Sequence, residues 1–135
     1  MNNTNNGIVA YASCYVVDNL AGNNGKSSGM GAGILVTGPG NRVVNNDITA
    51  NFRGIVVDGG EAKGNWIGDN AVVDSDSIGI LTTNNAINNI IIRNAAGSDV
   101  GIDYIILGNQ YGAIQPFAPT EFTNVNAWGN MTLKP

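Results

Sequence analysis

The chain has 135 residues, 12% of them charged, with a net charge of −4, no histidine and one cysteine, Cys14. A chain of this size holds one domain and one core; its charge offers no basic field to a phosphate backbone, the lone cysteine excludes an internal disulfide, and the missing histidine removes the usual zinc sites and Ser-His or Cys-His nucleophiles. Asparagine occupies about one position in six while Lys, Glu and Gln are sparse, which points to strands and tight turns rather than helices.

The opening MNNTNNG is neither basic nor apolar, so it is not a signal peptide, and no apolar run approaches the ~20 residues of a membrane span. This fits a cytoplasmic protein, or a mature chain or fragment of a secreted or surface parent. Two phrases then recur along the chain. One is a Gly-Ile marker: Gly7-Ile8-Val9, Gly33-Ile34-Leu35, Gly54-Ile55-Val56, Gly79-Ile80-Leu81 and a weaker Gly101-Ile102-Asp103. The other closes on asparagine: CYVVDN at Asn19, NRVVNN at Asn46, NWIGDN at Asn70, NIIIRN at Asn94 and YIILGN at Asn109, in steps of 27, 24, 24 and 15 residues.

Three places before each closing asparagine stand Val16, Val43, Ile67, Ile91 and Ile106, whereas the residue just ahead of these varies as Tyr15, Arg42, Trp66, Ile90 and Ile105. Constant beside variable is the alternation of a strand with one buried face. Two residues past the asparagine, Ala21, Ile48, Val72, Ala96 and Tyr111 form a second inward column, and Ile8, Ile34, Ile55, Ile80 and Ile102 a third. Three short strands per turn, each stacked on its like about 4.8 Å away, predict an all-β parallel solenoid, in which stacking buries a face that one coil could not bury alone. The predicted organisation is about five coils of roughly 24 residues over 1–112 and an irregular C-terminal cap over 113–135, where Pro116, Phe117, Pro119, Phe122 and Trp128 break the period. Leucine-rich and hexapeptide repeats do not fit, and Thr37, Thr49 and Thr82 are too isolated for an ice-binding threonine ladder.

The closing asparagines Asn19, Asn46, Asn70, Asn94 and Asn109 are expected to sit at the bends, where Asn tolerates left-handed backbone angles and its amide can bond the equivalent residues above and below. Residues 23–33, NNGKSSGMGAG, lengthen one coil into what reads as a flexible loop without a Walker or dinucleotide pattern. The shortened last step suggests a coil tightened at Gly97 and Gly101.

NRVVNNDITANFRGIVV, NWIGDNAVVDSDSIGIL and NIIIRNAAGSDVGIDYIILGN resemble coils of right-handed parallel β-helix proteins of the pectate-lyase-like superfamily, and NVNAWGNM resembles the Trp-containing tail of uncharacterised bacterial members. The resemblance implies a right-handed helix matching the C-terminal half of longer relatives, in a superfamily that spans lyases, hydrolases, epimerases, phage tailspikes and adhesins. On that template a polysaccharide lies along an outer strand face. Trp66, Arg42, Tyr15 and Arg93 are the outward candidates, and Asp69 in the NWIGDN bend joins them as a residue left free to meet a ligand. Trp66 near Arg42 reads either as a sugar platform or as a cation–π pair covering the surface.

Asp74, Asp76 and Arg93 are the catalytic candidates, with Asp58 nearby in sequence; a lyase would add calcium, although DSDS also reads as plain turn chemistry. The histidine motifs of pectin hydrolases and alginate epimerases are absent, and no Asp cluster with Arg typical of calcium-dependent lyases is evident. The expected protein is therefore a non-catalytic module without a cofactor, self-associating through an uncapped first coil. The alternative is a carbohydrate-binding or lyase-like module for an acidic glycan. Neither nucleic acid nor membrane is an expected partner. Asn2-Asn3-Thr4 and Asn130-Met131-Thr132 match the glycosylation pattern, which arises readily in an asparagine-rich chain.

Overall fold

The computed structural model describes residues 3–83, 85–97, 101–116 and 128–132. Among these the secondary structure is all strand. The first coil is β1 (Ile8–Ala10), β2 (Tyr15–Val17) and β3 (Leu20–Gly22); the second is β4 (Ala32–Val36), β5 (Arg42–Val44) and β6 (Asp47–Thr49). Then come β7 (Arg53–Asp58), β8 (Trp66–Gly68) and β9 (Ala71–Val73), and β10 (Ile78–Thr83), β11 (Ile90–Ile92) and β12 (Ala95–Ala96). The last strands are β13 (Ile102–Ile105), β14 (Gln110–Tyr111), β15 (Ile114–Pro116) and β16 (Asn130–Thr132).

Every third strand joins the same sheet. β1-β4-β7-β10-β13 make the first sheet, β2-β5-β8-β11-β14 the second, and β3-β6-β9-β12-β16-β15 the third, all paired parallel. The result is a β-solenoid of about four turns. Its strands are short because each spans one side of a three-sided coil, and only every second residue turns inward. Ile34, Ile55 and Ile80 stack in register from the first sheet, Val43, Ile67 and Ile91 from the second, and Ile48 and Val72 from the third, all fully buried. Each such side chain contributes roughly 1.5–3 kcal/mol by leaving water.

The Gly-Ile marker has a steric cause. A Cβ on Gly33 would come within 2.5 Å of Ile48 Cγ2, one on Gly54 within 2.1 Å of Val72 Cγ1, and one on Gly79 within 3.0 Å of Ala96 Cβ. The glycines are flush against the inward column of the third sheet, where the coil closes on itself. No side chain fits there.

The last coil departs from the expected register. Ile102 pairs with Ile78 and is exposed, while Tyr104 stands opposite Ile80 and fills the inward column predicted for Ile102. Likewise Tyr111, not Ile106, pairs with Ile91 in the second sheet. The stretch 113–135 also gives more than an irregular cap: β16 slots between β12 and β15 and extends the third sheet. Phe117, Pro119 and Phe122 lie outside the described residues. Within the 23–33 excursion several polar groups reach other parts of the chain. Lys26 Nζ reaches Asp76 Oδ1 at 3.0 Å, Ser28 Oγ lies 2.5 Å from the Thr4 carbonyl, and Gly25 N–H donates to Asn3 O.

Candidate functional site

The bends divide their work between two adjacent residues. Between the second and third sheets, Asp18, Asn45, Asp69 and Arg93 take the left-handed conformation, with φ between 54° and 57°, and the next residue is the ladder asparagine. The amide is thus relieved of the backbone strain expected of it. Asn19, Asn46 and Asn70 each donate both backbone N–H and Nδ2 to Oδ1 of the next asparagine at 2.9–3.1 Å. On Asn46 and Asn70, Nδ2 also donates to a strand carbonyl one coil back, Val16 O and Val43 O, each at 2.9 Å. Donors and acceptors are therefore matched inside an apolar tube, which makes these buried amides tolerable.

Asn109 does not belong to this column. Asn94 donates to Asn130 Oδ1 at 3.0 and 3.1 Å, across 36 residues. Asn109 instead ends a second ladder, between the first and second sheets, that runs Asn41, Asn65, Asn89, Asn109 and is preceded by Gly40, Gly64, Asn88 and Gly108 at positive φ. A third, between the third and first sheets, runs Asn3, Asn24, Asn51. The opening asparagines of NRVVNN and NWIGDN are rungs as fully as the closing ones. Their signal was in the sequence as a second 24-residue spacing, Asn41 to Asn65 to Asn89. Asn130, buried as a rung, is closed to glycosylation, and Asn2 lies outside the described residues.

On the outer face of the second sheet, the register sets Tyr15 beside Arg42 and Arg42 beside Trp66. The Arg42 guanidinium carbon lies 5.6 Å from the Tyr15 ring centroid and 5.6 Å from that of Trp66, within the range of cation–π attraction. Gly68, two residues after Trp66 on the same face, provides a seat for the indole: a Cβ there would fall 2.6 Å from Trp66 Nε1. Tyr15 is 72% exposed. Among the described residues, no hydrogen bond or ion pair engages the Arg42 guanidinium; its contacts are the two rings.

The other candidates are drawn elsewhere. Arg93 does not join this face but stands in the bend column, where it binds both oxygens of Asp69 at 2.8 and 2.6 Å and lies 5.3 Å from the Trp128 ring centroid. The Asp69 hydrogen bond holds the Arg93 guanidinium above its usual pKa. Asp69, expected to be open to a ligand, is tied to the next coil. Asp76 pairs with Lys26, and Asp74 occupies a left-handed bend position at φ 55°. Arg93 is thus grouped with Asp69 and not with Asp74 or Asp76. Among the described residues no group of three or more His, Cys, Asp or Glu is placed to hold a metal ion, and Asp69 and Asp76 each face a cation.

One feature was not expected from the sequence. The outward column of the first sheet is apolar, and Leu35, Val56 and Leu81 floor a groove of about 380 Å³ walled by Met30, with Arg53 and Asp58 at the two ends of β7. Its trace in the sequence is the third residue of each Gly-Ile marker, Val9, Leu35, Val56 and Leu81. No family model, curated protein or solved structure matches this chain.

Proposed function

We propose that this chain is a non-catalytic β-solenoid module with a structural or interaction role, associating with a second copy through its first coil. The observation that carries it is the unfinished edge. Among the described residues β1, β2 and β3 each pair on one side only, and Asn19 Oδ1 accepts no hydrogen bond although its equivalents on Asn46, Asn70 and Asn94 each accept two. The N–H groups of Asp47 and Ala71 donate to the carbonyls of Asn19 and Asn46, so that of Leu20 has the same upward aim, and among the described residues none accepts it. An acceptor beside a donor is self-complementary under a two-fold axis, the commonest symmetry of dimers, and exposed strand edges pair readily. Alongside this we propose the finer fold, a right-handed parallel β-helix of about five coils of the pectate-lyase-like kind; the two-residue bends built from a left-handed residue and an asparagine support it.

A second reading, a carbohydrate-binding or lyase-like module for an acidic glycan, is favoured by the Tyr15–Arg42–Trp66 stack alone. Against catalysis, Asp69 and Asp76 are engaged as ties between coils. Light scattering over a concentration series is expected to show a dimer, weakened by Leu20→Lys, which places a charge at the edge. A glycan array and a uronate-product absorbance assay are expected to stay silent. A monomer at every concentration would sink the association, and product formation would sink the non-catalytic reading.

A further inference from the structure

We infer that the Tyr15–Arg42–Trp66 stack is a preformed receptor for a planar carboxylate, on a ligand that carries a flat apolar ring beside it. Rings on the two neighbouring strands flank the guanidinium at 5.6 Å, and among the described residues none of its N–H donors, all in the guanidinium plane, is used by a hydrogen bond or ion pair. A carboxylate approaching in that plane meets two parallel N–H groups, the bidentate geometry in which arginine is strong and lysine is not. Among the other described cations, Arg93, Lys26 and Lys63 are each paired with a carboxylate of the chain. Arg53, like Arg42, has no such pair, but it lies over a single ring, Phe52, at 5.5 Å, where Arg42 has a ring on each neighbouring strand.

The stack is also built to stay in place. Register fixes the three side chains on adjacent strands, and the absence of a side chain at Gly68 lets the indole occupy the space a Cβ would claim. A long side chain held between two rings has less rotamer freedom to lose on binding, which is where affinity at an exposed arginine is ordinarily spent. The overall charge of −4 disfavours a dense polyanion and leaves an isolated carboxylate as the better match. The exposed Tyr15 ring beside the fork would receive the apolar part of the ligand.

The chain has three arginines, so their Nε–H signals and the indole Nε1–H of Trp66 can be followed separately by NMR. Titration with sodium benzoate, at a protein concentration below that at which the first coil associates, is expected to shift the Arg42 and Trp66 signals saturably, with benzamide at least tenfold weaker. Methanesulfonate, an anion without the planar carboxylate, should also be at least tenfold weaker. Arg42→Lys should abolish saturation, and Gly68→Ala should weaken binding severalfold while leaving the asparagine signals of the ladders in place. Equal shifts at Arg53 and Arg93, saturation retained in Arg42→Lys, or no saturation with benzoate would each overturn the receptor. Since the readout is taken on the monomer, its failure leaves first-coil association standing, and the reverse also holds.

Discussion

The two faces of the second sheet are made by the same strands and obey different rules. Inward, Val16, Val43, Ile67 and Ile91 repeat because each must fill the same slot in a dry tube. Outward, Tyr15, Arg42, Trp66 and Ile90 differ at every coil although their backbones are in the same register. Periodicity here records what the coil needs, so chemistry directed at something other than the coil shows itself where the period lapses.

That contrast can be broken most sharply at a rung. Asn70→Ala removes the acceptor for Asn46 N–H and Nδ2 and the donor to Val43 O. With each orphaned buried group costing about 1–3 kcal/mol, a loss of about 4 kcal/mol of unfolding free energy is expected, measured by chemical denaturation. Tyr15→Ala, on the outer face, should stay within about 0.5 kcal/mol of the parent, as surface substitutions do. Equal effects would mean that the ladder is not what holds the bends.

The ladder between the second and third sheets was readable over its first four rungs, because steps of 27, 24 and 24 residues with apolar flanks survive local noise. The last rung was not. Asn109 keeps the local phrase YIILGN but sits in a shorter turn, so its strand shifts and its amide joins the neighbouring ladder; Asn130 supplies the missing rung from 36 residues away, a distance no period foretells. Tyr15, Arg42 and Trp66 could be placed together from spacing alone, since one coil step sets one strand beside the next. Arg93 could not, because its side chain leaves from a bend and its partner Asp69 is the equivalent bend residue one coil earlier.

The register slip itself makes a smaller, pH-dependent prediction. Tyr104, where the first sheet elsewhere has isoleucine, lies buried with its hydroxyl 2.7 Å from both the Asn94 and Met131 carbonyls, joining the ladder to β16. Burial, first, and the charge of Asp103, second, push its pKa well above the ordinary value. The unfolded chain then loses this proton before the folded one does, so stability falls as pH rises above about 10. Tyr104→Phe should cost about 1 kcal/mol at neutral pH by deleting the hydroxyl's bond, and should flatten the alkaline slope measured by urea denaturation. An unchanged slope would place the alkaline loss elsewhere.

The smallest effect is expected where the outward column looks most ordered. Asp69 and Arg93 form a bidentate pair between successive bends, but both side chains are more than a third exposed, so water and salt screen the attraction and the pair gives up side-chain freedom to form. Asp69 also occupies a left-handed position, which asparagine tolerates at least as well and which Asn45 occupies one coil earlier. Asp69→Asn should therefore leave the melting temperature unchanged within error in moderate salt and lower it slightly, if at all, in low salt. A large, salt-insensitive loss would mean that this pair belongs with the rungs inside the tube and that the division between inner and outer columns fails at the bends.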